Sequence, residues 1–167
     1  MKGLRPEITE LIYNRIGKVA AHWAVAEMAM DHCIAIIWHH VKDGKTISPE
    51  LPVSLAPKCD FLKKAFRRLP DLAPFTDEAI ALVLRVTGNK EERHDRIHGQ
   101  IVTAMLGKDS LPSKFQFLRI QYEPETHVTT STWVSTAKLD DQGNDAQKLG
   151  EDWTELAMRL SAKFPPT

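Results

Sequence analysis

A long stripe of apolar residues near the start of the chain is the feature that most constrains the fold. Pro6 suits the first turn of a helix, and apolar side chains recur at helical spacing from about residue 7 onward. The stripe keeps its phase across Gly17, so it predicts one helix of roughly residues 7 to 42. Asp43 and Gly44 follow, and the glycine suits a helix C-cap.

Two shorter helices are expected after this long one. The stretch 49–57 contains three prolines and predicts an irregular crossing, after which residues 58–69 have the spacing of an amphipathic helix. Thr76 is expected to be the N-cap of a third helix, because Asp77 and Glu78 place acidic groups in its first turn. Gly88 could interrupt that third helix.

The pattern changes after Gly99 from helical spacing to runs rich in β-branched and aromatic residues, at 101–106, 115–122 and 126–134. These runs predict a three-stranded antiparallel meander. Ser135 or Thr136 could then cap a last helix, although Gly143 and Gly150 weaken its first half. The expected fold class is α+β, mainly α: an antiparallel helical bundle core with a C-terminal three-stranded antiparallel β-meander and a final helix.

The length and composition bound the number of domains and the kind of partner. A chain of 167 residues that is 43% hydrophobic can bury one core, so residues 1–167 are expected to form a single domain. Its parts would be a helical core (7–101), a β-meander (100–135) and a C-terminal helix (136–164). The formal net charge is zero, so any binding of nucleic acid must use a local patch.

The location expected for the chain is cytoplasmic. Only two cysteines are present, and Cys33 lies in an apolar helical run, which suits a reduced, buried thiol. The most apolar stretch, 19–38, is interrupted by Glu27 and Asp31, which argues against a membrane span. The N-terminal residues have no apolar run of the kind that a signal peptide needs.

One concentrated basic patch is expected, on the outer face of the second helix. Its members are Lys63, Lys64, Arg67 and Arg68. Such a run can be an ordinary solvated face, or it can be a place for the phosphates of RNA to lie.

A short polar stretch, 91–99, contains the residues best suited to chemistry. His94 and His98 are four residues apart and share one helical face, and Gly99 suits the position just past a helix end. A histidine in a last turn is biased toward its protonated form and can transfer protons near neutral pH. Arg93 would bind phosphate and stabilise a pentacovalent phosphorane, so the stretch indicates cleavage of RNA without a metal, by its own 2′-hydroxyl.

The same residues resemble the signature of the HEPN superfamily (higher eukaryotes and prokaryotes nucleotide-binding domain). That signature is an arginine followed after four to six residues by a histidine, and Arg93-His94-Asp95-Arg96-Ile97-His98 is similar to it, including the polar residue directly after the arginine. The resemblance implies a helical core and a homodimer formed through that core, with the motifs facing one another. In active members it also implies metal-independent endoribonuclease activity. The predicted strands lie outside this resemblance.

Within this hypothesis each residue of the motif has a role. Arg93 stabilises the charge of the phosphate, His98 transfers protons, and His94 positions the scissile group, while Arg96 supports them. Glu27 lies on the same helical line as buried apolar residues, where it either reaches water at the edge of the stripe or receives an arginine or histidine of the motif.

Several alternatives stay open. Arg93 and Arg96 could pair with nearby acids on a solvated helix, His98 could be a C-cap, and His94 could be a core residue. His94 and His98 could instead bind zinc with His39, His40 or Glu27, but no cysteine pair or His-Glu-x-x-His sequence supports this, so we expect no metal and no cofactor.

Two functions follow from these patterns. The first is a toxin or phage-defence ribonuclease that acts on RNA and has a possible antitoxin or other partner protein. The alternative is a catalytically inactive dimeric module that binds nucleotide, RNA or protein.

Overall fold

The computed structural model describes residues 5–89, 99–107, 111–123 and 126–166, with only the backbone of 121–123 and 126–127. The chain divides into two compact units. Unit 1 comprises Met1–Ala21 and Lys90–Asp145, and unit 2 comprises His22–Asn89 and Ala146–Thr167. The expectation of a single domain stays a prediction, and each unit is described by itself below.

The described residues form four α-helices and one three-stranded sheet, which confirms the α+β, mainly α, fold class. The helices are α1 (Pro6–His40), α2 (Leu55–Arg68), α3 (Thr76–Gly88) and α4 (Thr136–Lys163). The strands are β1 (Gln100–Leu106), β2 (Pro112–Glu123) and β3 (Thr126–Ser135). Short 3₁₀ turns occupy Gly44–Thr46 and Pro70–Phe75.

The end of α1 differs from the predicted glycine cap. The left-handed backbone lies at Asp43, with φ of 61°, rather than at Gly44. Gly44 is required for a different reason: a Cβ atom added there would lie 1.9 Å from the carbonyl oxygen of Ile37. The prediction of Gly44 as the C-cap is therefore wrong, because an aspartate tolerates the left-handed region while only a glycine fits against the last turns of α1.

Unit 1 is the sheet with the helix ends packed on one of its faces. Its strands run antiparallel in the order β1-β2-β3, which confirms the predicted meander. Phe115 and Phe117 alternate with exposed or half-buried neighbours along β2 and are buried. They form one cluster with apolar residues from the other strands and from α1 and α4: Ile8, Ile12, Ile101, Val134 and Leu139.

The start of α4 is fixed to the sheet within unit 1. The hydroxyl of Ser135 accepts a hydrogen bond from the N–H of Lys138 at 3.0 Å, which confirms the predicted N-cap. The hydroxyl of Thr136 donates to the carbonyl of Pro112 at the start of β2, at 2.6 Å. Asp140 forms an ion pair with Arg15 of α1 at 3.0 Å. The helix begins here because Ser135 satisfies one of its first N–H groups, and the other two contacts hold its first turns against β2 and α1.

Unit 2 contains α2, α3, the part of α1 from His22 onward and the part of α4 from Ala146 onward. The helix α2 begins at Leu55, three residues before the predicted start, because Pro57 falls in the first turn, where no intrahelical N–H bond is lost. Thr76 is not the N-cap of α3; its hydroxyl donates instead to the carbonyl of Phe66, at 2.7 Å. That bond ties the start of α3 to the last turns of α2.

Gly150 does not interrupt α4. A Cβ atom added there would lie 3.2 Å from a methyl group of Val25 and 3.5 Å from the carbonyl oxygen of His22. The glycine therefore lets α4 approach α1 closely within unit 2. A glycine in a helix is about 1 kcal/mol less stable than an alanine, and the close packing of α4 on α1 offsets this loss.

No helix in the described part of the chain is long and apolar enough to cross a membrane. Cys33 and Cys59 are both buried, and they form no disulfide. Burial raises the pKa of the Cys33 thiol to about 12, so it is a packing residue and not a nucleophile.

Candidate nucleic-acid interface

The predicted catalytic motif falls in the stretch between α3 and β1. Arg93, His94, Arg96 and His98 all lie outside the described residues, which resume at Gly99. Their roles stay predictions. The structure describes two other parts of the predicted site, Glu27 and the basic face of α2, and both belong to unit 2.

Glu27 lies at the edge of the buried stripe of α1. The side chain is half-buried, one turn after Trp23, which is 4% exposed, and one turn before Met30, which is fully buried. Its Oε1 atom is buried. Both expectations for Glu27, that it reaches water at the edge of the stripe or that it receives an arginine or histidine of the motif, stay predictions.

The helix α2 separates apolar and cationic side chains onto two faces. Its inner face is buried and comprises Cys59, Phe61, Leu62, Ala65 and Phe66. Lys64, Arg67 and Arg68 are exposed and Lys63 is half-buried. At 100° per residue these four cations cover an arc of roughly 140°. We call this arc the cationic face.

No carboxylate of the described residues pairs with the cationic face. Lys63 and Arg67 are four residues apart on the helix, as are Lys64 and Arg68, so each pair places two positive charges side by side. Each like-charge pair costs roughly 0.2–0.5 kcal/mol in an isolated helix. Acids interspersed along a surface helix reduce this cost, and none of the described residues supplies one within ion-pair distance of these four cations.

The other cations of unit 2 contrast with this face, because several of them have acidic partners. Arg85 of α3 lies 2.6 Å from Asp152 of α4, and Arg159 of α4 binds Glu78 of α3. Lys58, near the start of α2, lies 2.7 Å from Asp31. Among the described residues, the cation near the start of α2 therefore has an acidic partner, whereas the four cations of the cationic face have none.

Asp152 of α4 interacts with two cations, Arg85 and Lys148. Burial works to raise the pKa of its carboxyl, but hydrogen bonds and charge interactions with Lys148 and Arg85 outweigh burial and lower the pKa below the ordinary value of 3.8. This carboxylate is a structural anion that joins α3 to α4. Sequence reasoning missed it, since Arg85 and Asp152 are 67 residues apart and no local pattern connects them.

A simple structural explanation exists for part of the cationic face. Arg67 and Arg68 lie in the last turn of α2, where the helix dipole favours cations by about 0.3–1 kcal/mol each. That effect is confined to the final turn, so it does not explain Lys63. The dipole and an anionic ligand are compatible reasons for the same two arginines.

An open groove of about 430 Å³ lies beside the cationic face, between α2 and the proline-containing segment before it. Lys64 and Phe61 line one side of it, but Asp60 and Glu50 line it as well. The two carboxylates would repel phosphate. A polyanion would therefore lie along the four cations of the cationic face, outside this groove.

A second surface of unit 2 has the opposite character. A groove of about 630 Å³ runs between α1 and α4. Val25 and Met158 form its apolar floor, and Glu151 and Glu155 stand along it. Val25 is 42% exposed and Met158 is 60% exposed, and the neighbouring Met28 of α1 is 67% exposed. Its two glutamates would repel the phosphates of RNA.

The described residues give no support to a zinc site. The rings of His39 and His40 lie 6.1 Å apart at the end of α1, and no group of three or more potential ligands gathers in the described ranges. The two remaining histidines of that hypothesis, His94 and His98, lie outside those ranges.

Comparison of the chain with family models, with curated proteins and with solved structures finds no match. The resemblance to the HEPN superfamily therefore rests on the residues of the motif and on the helical character of the chain.

Proposed function

We propose that this protein is a metal-independent endoribonuclease of the HEPN type, related to toxins or phage defence, that cleaves RNA by attack of the 2′-hydroxyl. The observation that carries the proposal is the sequence Arg93-x₄-His98, placed after α3. Arginine and histidine at this spacing supply the two functions that the reaction needs, which are charge stabilisation and proton transfer.

The proposed reaction balances without an added reagent. A histidine accepts the proton of the 2′-hydroxyl, and the resulting oxygen attacks the adjacent phosphorus. The P–O5′ bond breaks, and the leaving oxygen takes a proton from a second, protonated histidine. The products are a 2′,3′-cyclic phosphate and a free 5′-hydroxyl. Arg93 would neutralise the charge on the phosphorane, a contribution of about 3–4 kcal/mol for a well-placed donor.

The reaction needs two histidines beside the scissile P–O5′ bond. They are either His94 and His98 of one chain or the His98 residues of two chains. The second arrangement requires a homodimer through the helical core. The exposed apolar side chains Val25 and Met28 on α1, with Met158 on α4, support such an interface, because large apolar groups that cluster on a surface favour contact with another protein.

The cationic face of α2 supports RNA as the ligand. Four cations with no described acidic partner, on a chain of zero net charge, make a local patch that attracts a polyanion where the whole chain does not. Its position on a regular helix fixes the spacing of the charges. Phosphates bound there would orient a strand without selecting its sequence.

The test is cleavage of single-stranded RNA by purified protein in excess EDTA. We expect products that end in 2′,3′-cyclic phosphate, and a loss of at least about a hundredfold in rate for Arg93→Ala and for His98→Ala. His39→Ala is the matched control, because His39 is an exposed histidine outside the motif. Equal cutting by the wild type and the two motif variants would refute the assignment.

A second function is favoured by the cationic face alone: a catalytically inactive module that binds RNA or nucleotide. This alternative needs α2 but not the motif. It predicts stable binding of RNA without turnover, weakened by changes at Lys63 and Arg67 and unaffected by Arg93→Ala. The cleavage assay with the same RNA separates the two functions.

A further inference from the structure

The outer edge of β3, in unit 1, has no role in the proposed function. The sheet order β1-β2-β3 makes β3 an edge strand, and no other strand of the described residues pairs with its outer side. Residues 128–133 are all exposed, whichever face of the sheet they belong to. Val128 is 41% exposed and Trp133 is 44% exposed. Among the described residues, no strand uses the outward backbone donors and acceptors of this edge.

Edge strands usually carry features that prevent pairing, and β3 has none of them. Lysine, proline and bulges are the common protections. Thr126–Ser135 contains no lysine, arginine, aspartate, glutamate or proline. Its ten residues pair with β2 without a register shift, from Lys114–Ser135 to Glu123–Thr126. The edge is thus long, regular and uncharged.

The opposite edge of the same sheet provides an internal comparison. β1 has seven residues, and its pairing with β2 shifts between Ile101 and Thr103 and again between Met105 and Leu106. Such irregularities bend an edge and interrupt its pattern of hydrogen bonds. Of the two edges, only β3 offers an uninterrupted template.

We propose that the outer edge of β3 pairs antiparallel with β3 of a second copy of this chain, joining two three-stranded sheets into one of six strands. An uncharged strand meets its own copy without repulsion between like charges, whereas a charged partner strand would find no complementary charge on β3. Threonine and valine, which fill much of β3, are favourable cross-strand partners. A two-fold axis makes the contact close on itself after two copies.

The size of the contact sets the expected affinity. Ten residues extend about 33 Å, and an antiparallel ladder of that length makes about ten hydrogen bonds. A contact between two strand edges buries less area than a standard interface, which buries about 800 Å² on each partner. The pair therefore belongs to the weak, reversible class of interfaces. We therefore expect a weak self-association through β3 that depends on concentration and is separate from the homodimer of the helical core in the proposed function. The interface lies in unit 1 and does not depend on ribonuclease activity.

The experiment combines sedimentation with hydrogen exchange on the full chain. For the wild type, we expect the weight-average mass and the protection of β3 amides to rise together with protein concentration. Thr129→Lys and Thr132→Lys point to opposite faces of the sheet, since successive residues of a strand alternate. Both should raise the dissociation constant at least about tenfold, because each places two like charges at the paired edge.

The control is Val102→Lys, which puts the same charge on the exposed, irregular edge of β1, where Val102 is 40% exposed. It should leave the equilibrium unchanged, and circular dichroism should report the same folded state for all three variants. A wild type whose β3 amides exchange at the same rate at every concentration overturns the proposal. So does a concentration-dependent protection of the β3 amides that neither threonine variant weakens, that only one of them weakens, or that Val102→Lys weakens equally.

Discussion

Neutralising part of the cationic face should change both the affinity for RNA and its dependence on salt, in amounts that the structure sets. Lys63 and Arg67 form one of the two like-charge pairs of α2, and neither has a described acidic partner. The double change Lys63→Gln and Arg67→Gln removes two of the four cations and leaves Lys64 and Arg68 in place. Glutamine keeps the helix, because its helix propensity is close to that of lysine and arginine.

The expected magnitude follows from counterion release. A protein that neutralises Z phosphates of a single strand has a slope of about −0.7Z in a plot of log K against log salt. Four cations give a slope of about −2.8, so affinity falls about fiftyfold between 50 and 200 mM salt. The double variant should have a slope of about −1.4, with a loss of about sevenfold over the same range.

The stability of the variant should change little while its affinity falls. Removing one like-charge pair at spacing i, i+4 gains roughly 0.2–0.5 kcal/mol, whereas removing Arg67 from the last turn of α2 loses about 0.3–1 kcal/mol of helix-dipole stabilisation. Because the two effects oppose each other, the free energy of unfolding should change by less than about 1 kcal/mol. A protein that binds RNA less well at nearly unchanged stability cannot have lost binding by unfolding.

The assay is fluorescence anisotropy with a labelled 2′-O-methyl oligouridylate, which lacks the free 2′-hydroxyl and so cannot be cut by the proposed reaction. The matched control changes Lys18 and Lys42 to glutamine, which removes two exposed lysines from outside α2. Its slope should equal that of the wild type. An unchanged slope for Lys63→Gln with Arg67→Gln, or an equal change in the control, would refute the reasoning.

Two further predictions concern stability. Gly44→Ala should destabilise the protein by about 2 kcal/mol or more, because its Cβ would lie 1.9 Å from a backbone carbonyl oxygen. Gly17→Ala has no neighbour within 4 Å and should stabilise the protein by up to about 1 kcal/mol. Urea denaturation measures both changes. Asp152→Asn should cost about 1 kcal/mol near neutral pH, because it breaks a partly buried pair with Arg85. The folded pKa of Asp152 is lowered, so its contribution exists above the unfolded pKa and disappears as the pH falls through the folded value. The difference between wild type and variant should therefore shrink below about pH 4, and a gap that is independent of pH would contradict this cause.

The sequence predicted those parts of the fold that depend on local periodicity. The helical stripe predicted α1 almost to its ends, and the change to β-branched runs after Gly99 predicted all three strands, because period and composition alone distinguish the two kinds of element. The cap at Ser135 was also predictable, because a hydroxyl just before a helical pattern can accept a hydrogen bond from an N–H of the first turn.

The predictions failed where a distant contact decides the outcome. Thr76 has the local signature of an N-cap, but the carbonyl of Phe66 competes successfully for its hydroxyl. Gly44 has the signature of a C-cap, but its requirement comes from the carbonyl of Ile37 in the preceding helix. Of the site, the cationic face of α2 was predictable from helical spacing, whereas the absence of described acidic partners around it required the structure.

The division of the chain into units also bears on the order in which it can fold during synthesis. Unit 2 needs residues 146–167 to complete it, and Arg159 and Lys163 of that segment bind Glu78 and the carbonyl of Asp71, which lie 81 and 92 residues earlier. Unit 1 likewise joins residues 1–21 to residues 90–145. Neither set of contacts can close while a ribosome is still making the first half of the chain. The part of α1 that packs against α4, around Ala26, must therefore stay exposed until α4 emerges, which makes it a segment that a chaperone could bind during synthesis.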